Sequence, residues 1–197
     1  MRQLAILLII FVFISCEDSE KSLDDDFGLG LNLSTPYVQE KNIQSINEAF
    51  SLSDSAPWGF KHGGIDFFPK TNLVSFRSSC AGEVSKIELW KNGDKWQVNI
   101  IITCDDEFTI LYIFEPFAAD EKIGKEQLNQ IVISKGETVE KNSLIGNLIL
   151  SNQGGHVHFS LKQNNEFICP QGYFTEEAYL SIMRIIQNKN PDWKMCY

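Results

Sequence analysis

Residues 83–103, EVSKIELWKNGDKWQVNIIIT, decide the fold class of this chain. Two runs rich in β-branched and aromatic residues flank the pair Asn92-Gly93. Asn-Gly between two such runs is the strongest short-range signal for a β-hairpin. In the second run every other residue is apolar, namely Trp96, Val98, Ile100 and Ile102, which is the period of a half-buried strand. The stretch therefore predicts two antiparallel strands joined by a tight turn.

Short apolar runs on both sides of this hairpin extend the β pattern, at residues 74–76, 108–114, 131–133, 143–150 and 157–161. One segment favours helix. Thr175 can cap its start, two glutamates follow where the helix dipole favours them, and Leu180, Met183 and Ile186 form an apolar stripe. We predict a mainly β, antiparallel sheet or sandwich with a C-terminal helix.

The N-terminus has the layout of a secretory signal. Arg2 is followed by an unbroken apolar run at residues 4–14, close to the ~7–15 residues of a signal peptide and short of the ~20 that span a membrane. The run ends in Ser15-Cys16, which resembles a bacterial lipobox in which Cys16 becomes the lipidated first residue. We expect an exported protein of the cell envelope, anchored by lipid at the outer membrane or cell surface. The alternative is an ordinary signal peptide with Cys16 merely nearby.

Composition suggests four segments: a signal peptide at residues 1–15, a tether and edge segment at 16–55, the main domain at 56–175, and a helix with a tail at 176–197. The chain carries 17 basic and 26 acidic residues, for a net charge of −9. Because such a chain lacks the clustered Lys and Arg that bind phosphates, we expect no nucleic-acid partner.

Four cysteines remain once Cys16 is set aside. An even number in an exported chain is compatible with two disulfides, and four cysteines allow three connectivities. The predicted hairpin would bring Cys80 and Cys104 together, and a bridge from Cys169 to Cys196 would tie down the tail, so this pairing is favoured over the other two. No CxxC spacing occurs, which argues against a cysteine zinc site.

All three histidines fall in two glycine-flanked motifs, His62-Gly63-Gly64-Ile65-Asp66 and Gly154-Gly155-His156-Val157-His158. On a strand, His156 and His158 would project from the same face. Two imidazoles and one carboxylate around an open fourth position form a typical catalytic zinc set. The alternative is chance, since a single histidine is more often a surface or core residue. The joint pattern favours one zinc ion held by the chain.

These motifs resemble the lysostaphin/LytM family of zinc metallopeptidases, whose signature is an HxGxD-type motif followed later by G-x-HxHF. Residues 81–84, 132–146 and 169–174 are also similar to segments of that family, and the likeness spans residues 58–174. The resemblance implies a LytM-like sheet with a duplicated hybrid motif. It also implies that His62, Asp66 and His158 bind zinc and that His156 is a catalytic histidine.

The resemblance also exposes one departure on a middle strand. Where the family has a histidine that stabilises the oxyanion, this chain has Phe114. An oxyanion donor contributes ~10²–10³ in rate, and phenylalanine cannot donate. Tyr112 would share the face of Phe114 and is the candidate catalytic substitute, whereas Glu115 would face the other way.

The resemblance implies a zinc-dependent endopeptidase that acts on peptidoglycan cross-link peptides. The alternative is a zinc-holding but weak or inactive module that binds peptidoglycan or regulates another cell-wall hydrolase through a partner protein. A third interpretation, a lipoyl- or biotinyl-carrier hairpin at residues 135–139, is disfavoured because the modifiable-lysine pattern is missing.

Overall fold

The structure is a computed structural model that describes Phe27 and residues 29–197. The predicted signal peptide, the predicted lipidation site Cys16 and the first part of the tether lie outside the described residues. Within the described part, no helix is long and apolar enough to cross a membrane.

Residues 29–197 contain ten strands and two α-helices. The strands are β1 (Ile43–Ile46), β2 (Ile65–Pro69), β3 (Val74–Arg77), β4 (Gly82–Asn92), β5 (Lys95–Thr103), β6 (Phe108–Ala118), β7 (Thr138–Val139), β8 (Leu144–Leu148), β9 (His156–Gln163) and β10 (Glu166–Ile168). The helices are α1 (Glu121–Leu128) and α2 (Glu176–Lys189). The predicted fold class, mainly β and antiparallel with a C-terminal helix, is confirmed.

The main sheet has the strand order β1-β2-β9-β6-β5-β4-β7, and β10 pairs with the far end of β9. A separate two-stranded sheet joins β3 to β8. One face of β5, β6 and β9 is fully buried, through Val98, Ile100, Ile102, Ile110, Tyr112, Phe114, Val157, Phe159 and Leu161. Buried residues of β3, β8 and α2 complete this core. The opposite face of β9 is thereby left to carry the polar side chains.

The predicted hairpin forms between β4 and β5, with Asn92 paired to Lys95 across the turn. Gly93 adopts φ 62°, a conformation that glycine reaches without the cost a side chain would add. Both disulfides follow the favoured pairing, Cys80–Cys104 and Cys169–Cys196, each with a Cα–Cα distance of 5.9 Å.

Two segments contribute more than their sequences indicated. The described part of the tether and edge segment supplies β1 and places Leu33, Tyr37 and Ile46 in the core. The helix α1 lies in a stretch that the sequence analysis left without an element, where the Asp120 side chain accepts from the Lys122 backbone N–H and caps the helix.

Candidate metal centre

The candidate site forms where β2 lies against β9. The two strands are antiparallel and place Asp66 directly opposite His158. Residues directly opposite each other share a face of the sheet. His156 and His158 lie two residues apart on β9 and therefore also share that face. His62 precedes β2 and is held by two backbone hydrogen bonds with Ser51.

The ligand atoms of His62, Asp66 and His158 all lie within 4.8 Å of one another. His158 Nδ1 lies 2.7 Å from Asp66 Oδ1, and His62 Nε2 lies 3.3 Å from Asp66 Oδ2. Two ligands at the Zn–N and Zn–O distances of a tetrahedral site are separated by about 3.3 Å. The structure thus brings the three predicted ligands together at a spacing that suits a small cation.

The far nitrogen of each ligand imidazole is occupied. His62 Nδ1 lies 2.9 Å from the backbone oxygen of Ala49, and His158 Nε2 lies 2.6 Å from Ser160 Oγ. Metal-binding histidines almost always use their second nitrogen in this way, which fixes the ring and the tautomer. His62 Nε2 and His158 Nδ1 are left facing the carboxylate. The donor set therefore fits a zinc ion.

The Gly63-Gly64 pair lets the loop approach β9 closely. A Cβ added at Gly64 would lie 2.4 Å from the Phe159 carbonyl oxygen and 2.7 Å from both His158 Nε2 and Ser160 Oγ. At Gly63 the nearest atom would be a ring carbon of Phe167, at 3.2 Å. Only glycine at position 64 permits this contact between the motif and the strand.

His156 lies beside this cluster and is 8% exposed. Its Nε2 is 3.6 Å from Asp66 Oδ2 and 3.3 Å from Glu115 Oε1. The rings of Phe68 and Phe117 each lie 5.0 Å from the imidazole, and its Nδ1 has no hydrogen-bond partner among the described residues. The imidazole therefore meets carboxylates on one side and aromatic rings on the other.

The structure does not bring Tyr112, expected as a catalytic substitute, to the histidine cluster. In the pairing of β6 with β9, Glu115 lies opposite His156, whereas Tyr112 and Phe114 lie opposite Phe159 and Val157 on the core face. Tyr112 is fully buried, and its hydroxyl accepts a hydrogen bond of 2.8 Å from the Ser79 backbone N–H. Tyr112 and Phe114 do share a face, but it is the face away from the histidines.

Sequence reasoning did not assign Glu115, Glu48 or Ser160 to this site. Ser160 continues the alternation of His156 and His158 along β9 and could have been found from that period. Glu48 lies in the segment taken as tether and edge, and its backbone oxygen accepts from the Asp66 backbone N–H at 2.9 Å. Its Oε2 is buried without a partner in the described part of the chain.

The carboxylates and imidazoles of the site shift one another's pKa values. Burial alone would raise the pKa of Asp66, but the hydrogen bonds from His158 and His62 hold it well below its usual range. Burial opposes the charged form of His156, yet the carboxylates of Glu115 and Asp66 outweigh it and raise the pKa. Burial and the charge of Asp66 raise the pKa of Glu48. The cluster therefore favours a cationic group at its centre.

A cavity of about 430 Å³ lies elsewhere, between the N-terminal segment and α2. Its lining includes Tyr37, Arg77, Ser181 and Arg184, and none of the three histidines. We place the candidate site at the histidine cluster, because metal ligands are recognised by converging donor atoms rather than by open volume.

No protein-family model matches the sequence, and no curated protein sequence matches it. Solved structures do match. A chain of the SpoIIQ–SpoIIIAH pore-forming complex aligns with a TM-score of 0.55 and 20% identity, over 78% of this chain and 97% of that chain. Csd3 of Helicobacter pylori aligns with a TM-score of 0.51 and 23% identity, over 74% of this chain and 34% of that chain. The solution structure of lysostaphin aligns with a TM-score of 0.48 and 18% identity, over 68% of this chain and 48% of that chain.

At these identities the likeness concerns the fold alone. The fold is LytM-like, so the predicted resemblance to the lysostaphin/LytM type is confirmed at the level of the fold. This chain spans about a third of the length of the Csd3 chain that it matches.

Proposed function

We propose that this chain is a zinc-dependent metalloendopeptidase-like domain that acts on peptidoglycan cross-link peptides at the cell envelope. The observation that carries the proposal is the convergence of His62, Asp66 and His158 within 4.8 Å, with His156 alongside. Two imidazoles and one carboxylate with an open position distinguish catalytic from structural zinc sites.

His62 through Nε2, Asp66 through its carboxylate and His158 through Nδ1 would hold one zinc ion. A zinc ion so bound polarises a carbonyl and lowers the pKa of its water to roughly 7. Ala49 and Ser160 orient the two ligand rings from behind. Because its pKa is lowered by the hydrogen bonds from His158 and His62, Asp66 stays ionised even in mildly acidic solution.

The protein surface near the site suits an extended peptide. Phe60 is 47% exposed and Phe167 is 38% exposed. The Phe60 ring centroid lies 6.4 Å from that of His62, and Phe167 packs over Gly63. Aromatic side chains beside polar groups are typical walls of a substrate groove. We expect the cell envelope to supply the substrate, with the chain held there by lipid on Cys16.

A second candidate is a metal-holding module without full activity, which binds peptidoglycan or a regulatory partner protein. Two observations favour it. The chain has three histidines in all, so no further imidazole is left for the site. In addition, 97% of a chain from a complex described as pore-forming aligns with this one.

Zinc content and peptidoglycan digestion, measured together on the purified protein, separate these candidates. We would compare wild type with His158→Ala, and use Ser85→Ala on the exposed part of β4 as the matched control. One zinc per chain that is lost in His158→Ala, together with digestion by wild type and control, supports the peptidase. Zinc without digestion supports the second candidate. No zinc in the wild type would overturn both.

A further inference from the structure

We propose that the cavity of about 430 Å³ between the N-terminal segment and α2 binds the free carboxylate of a short peptide, with Arg77 and Lys141 as its anion-binding groups. The inference does not rest on the proposed function, because none of the three histidines lines this cavity. The volume falls in the ~300–1,000 Å³ range of small-molecule sites.

The floor of the cavity is made of buried residues. At most 7% of the surface is exposed in each of Thr35, Tyr37, Ala178 and Ser181, all of which line it. The Tyr37 hydroxyl lies 2.5 Å from Ser181 Oγ, and Ser181 Oγ donates a hydrogen bond of 2.7 Å to Glu40 Oε2. These polar groups satisfy one another and form an ordered, recessed surface.

Arg77, at the end of β3, offers the cavity a guanidinium that is held in place but not neutralised. Its Nε donates to the Thr35 backbone oxygen at 2.9 Å, and its Nη2 donates to Thr35 Oγ1. A guanidinium has five N–H donors, so three remain without an acceptor among the described residues. No described carboxylate forms an ion pair with Arg77. A fixed and unpaired guanidinium suits a carboxylate, which it binds through two parallel hydrogen bonds.

Lys141 adds a second positive charge to the lining. Its Nζ donates to the Asn32 backbone oxygen at 3.3 Å, which leaves two of its three donors for a ligand. It also forms no ion pair with a described carboxylate. Thr175, which caps the N-terminus of α2, lines the same cavity, and the helix dipole adds partial positive charge there.

The other charged residues of the lining do not cancel these two cations. Arg184 and Glu40 neutralise each other, since Arg184 Nη2 lies 2.7 Å from Glu40 Oε2. Glu177 is the remaining carboxylate of the lining, and its side chain is exposed. Three cations and two carboxylates therefore line a cavity in a chain whose net charge is −9. The cavity is a local site of attraction for anions on a protein that otherwise repels them.

The uncharged part of the lining suits a peptide. Ser34 and Asn142 offer a hydroxyl and an amide, and Val38 and Ala178 offer small apolar surfaces. Such a mixture fits peptide groups with small side chains better than a large apolar ligand. Capture of a C-terminal carboxylate is an established mode of peptide recognition in proteins.

The test is a titration followed by ¹H–¹⁵N NMR of the backbone amides, with N-acetyl-alanyl-alanine as the probe and its C-terminal amide as the uncharged control. We expect saturable shifts at Thr35, Asn142 and Glu177, with a Kd of about 1 mM for a ligand of this size. The amide should give no saturable shift. Inorganic phosphate is titrated separately, and binding of phosphate without binding of the peptide would overturn the assignment to a carboxylate.

Three variants each remove one positive charge. Arg77→Gln should weaken binding about 10–100-fold, because it loses charge-assisted hydrogen bonds. Lys141→Gln should weaken it about 2–5-fold, as expected for an exposed charge. Lys135→Gln is the matched control, since Lys135 is exposed and lies outside the lining, and it should bind as the wild type does.

Circular dichroism checks folding, because Arg77→Gln also releases Thr35. Lys141→Gln changes an exposed side chain and decides the matter if Arg77→Gln does not fold. Equal affinity for the peptide and its amide would overturn the inference. So would an unchanged Kd in Lys141→Gln, or peptide-induced shifts confined to residues 155–158 at the histidine cluster.

Discussion

Gly64→Ala should weaken zinc binding at the candidate metal centre, although it removes none of the candidate ligands. The added Cβ would lie 2.4 Å from the Phe159 carbonyl oxygen, and it would crowd His158 Nε2 and Ser160 Oγ at 2.7 Å. To reach an ordinary contact of 3.4 Å, the loop or the strand must withdraw by about 1 Å. Metal sites tolerate displacements of about 0.2 Å in their ligand distances. The shift therefore exceeds what the site can absorb.

The size of the effect follows from overpacking. Forcing an extra methyl into a well-packed position costs about 1–3 kcal/mol. If zinc binding has to restore the crowded geometry, it loses this free energy. The Kd for zinc then rises about 5- to 150-fold, since 1.4 kcal/mol corresponds to a factor of ten. The added methyl also crowds both partners of the His158–Ser160 hydrogen bond, which supports the ligand ring.

Gly63→Ala is the matched control, one residue away. Its Cβ would meet the Phe167 ring at 3.2 Å, and that side chain is 38% exposed and can move. We would measure zinc affinity by competition with a chromogenic chelator and unfolding by circular dichroism, for both variants. Equal zinc affinity in folded Gly64→Ala and Gly63→Ala would refute the reasoning.

Three further outcomes are expected. Tyr112→Phe should leave zinc content and hydrolysis unchanged. It should lower the free energy of unfolding by about 1–3 kcal/mol in a urea titration, because the buried Ser79 N–H loses its acceptor. A loss of hydrolysis at full zinc content would contradict this prediction. Burial raises the pKa of Tyr112 to about 12 from an ordinary value of 10.0. The free energy of unfolding should therefore hold below pH 10 and decline as the pH rises toward 12, with a shallower decline in Tyr112→Phe. Equal slopes in the two proteins would contradict this raised pKa. Replacing Cys80 and Cys104 by serine should cost about 3–4 kcal/mol in the same titration, given a sequence separation of 24; an unchanged midpoint would argue against the bridge.

The hairpin and the histidine motifs were predictable because their information is local. Asn92-Gly93 specifies its turn through backbone conformations that few residues adopt. The turn in turn sets the register in which β4 pairs with β5. The Cys80–Cys104 bridge followed from the hairpin for the same reason. Spacing alone also placed His156 and His158 on one face, since side chains alternate along a strand.

Helix α1 was missed although its signals are also local. Asp120 caps its first turn, and Lys125 contacts Glu121 at 2.9 Å across one turn of the helix. Such pairs contribute only about 0.2–0.5 kcal/mol each, so they indicate a short helix weakly. The packing of α1 against β4, β5 and β6 supplies the remaining stabilisation.

The sequence by itself determined which side chains are the candidate metal ligands and which hairpin anchors the sheet. Only the tertiary structure decided which residues of β6 lie on the same face of the sheet as His156. β6 and β9 are far apart in the chain, and nothing local specifies their register. Because side chains alternate with a period of two, a difference of one residue exchanges the faces. For that reason Tyr112 and Phe114 lie in the core. Glu115 was predicted to face away from the site, but its Oε1 lies 3.3 Å from His156 Nε2.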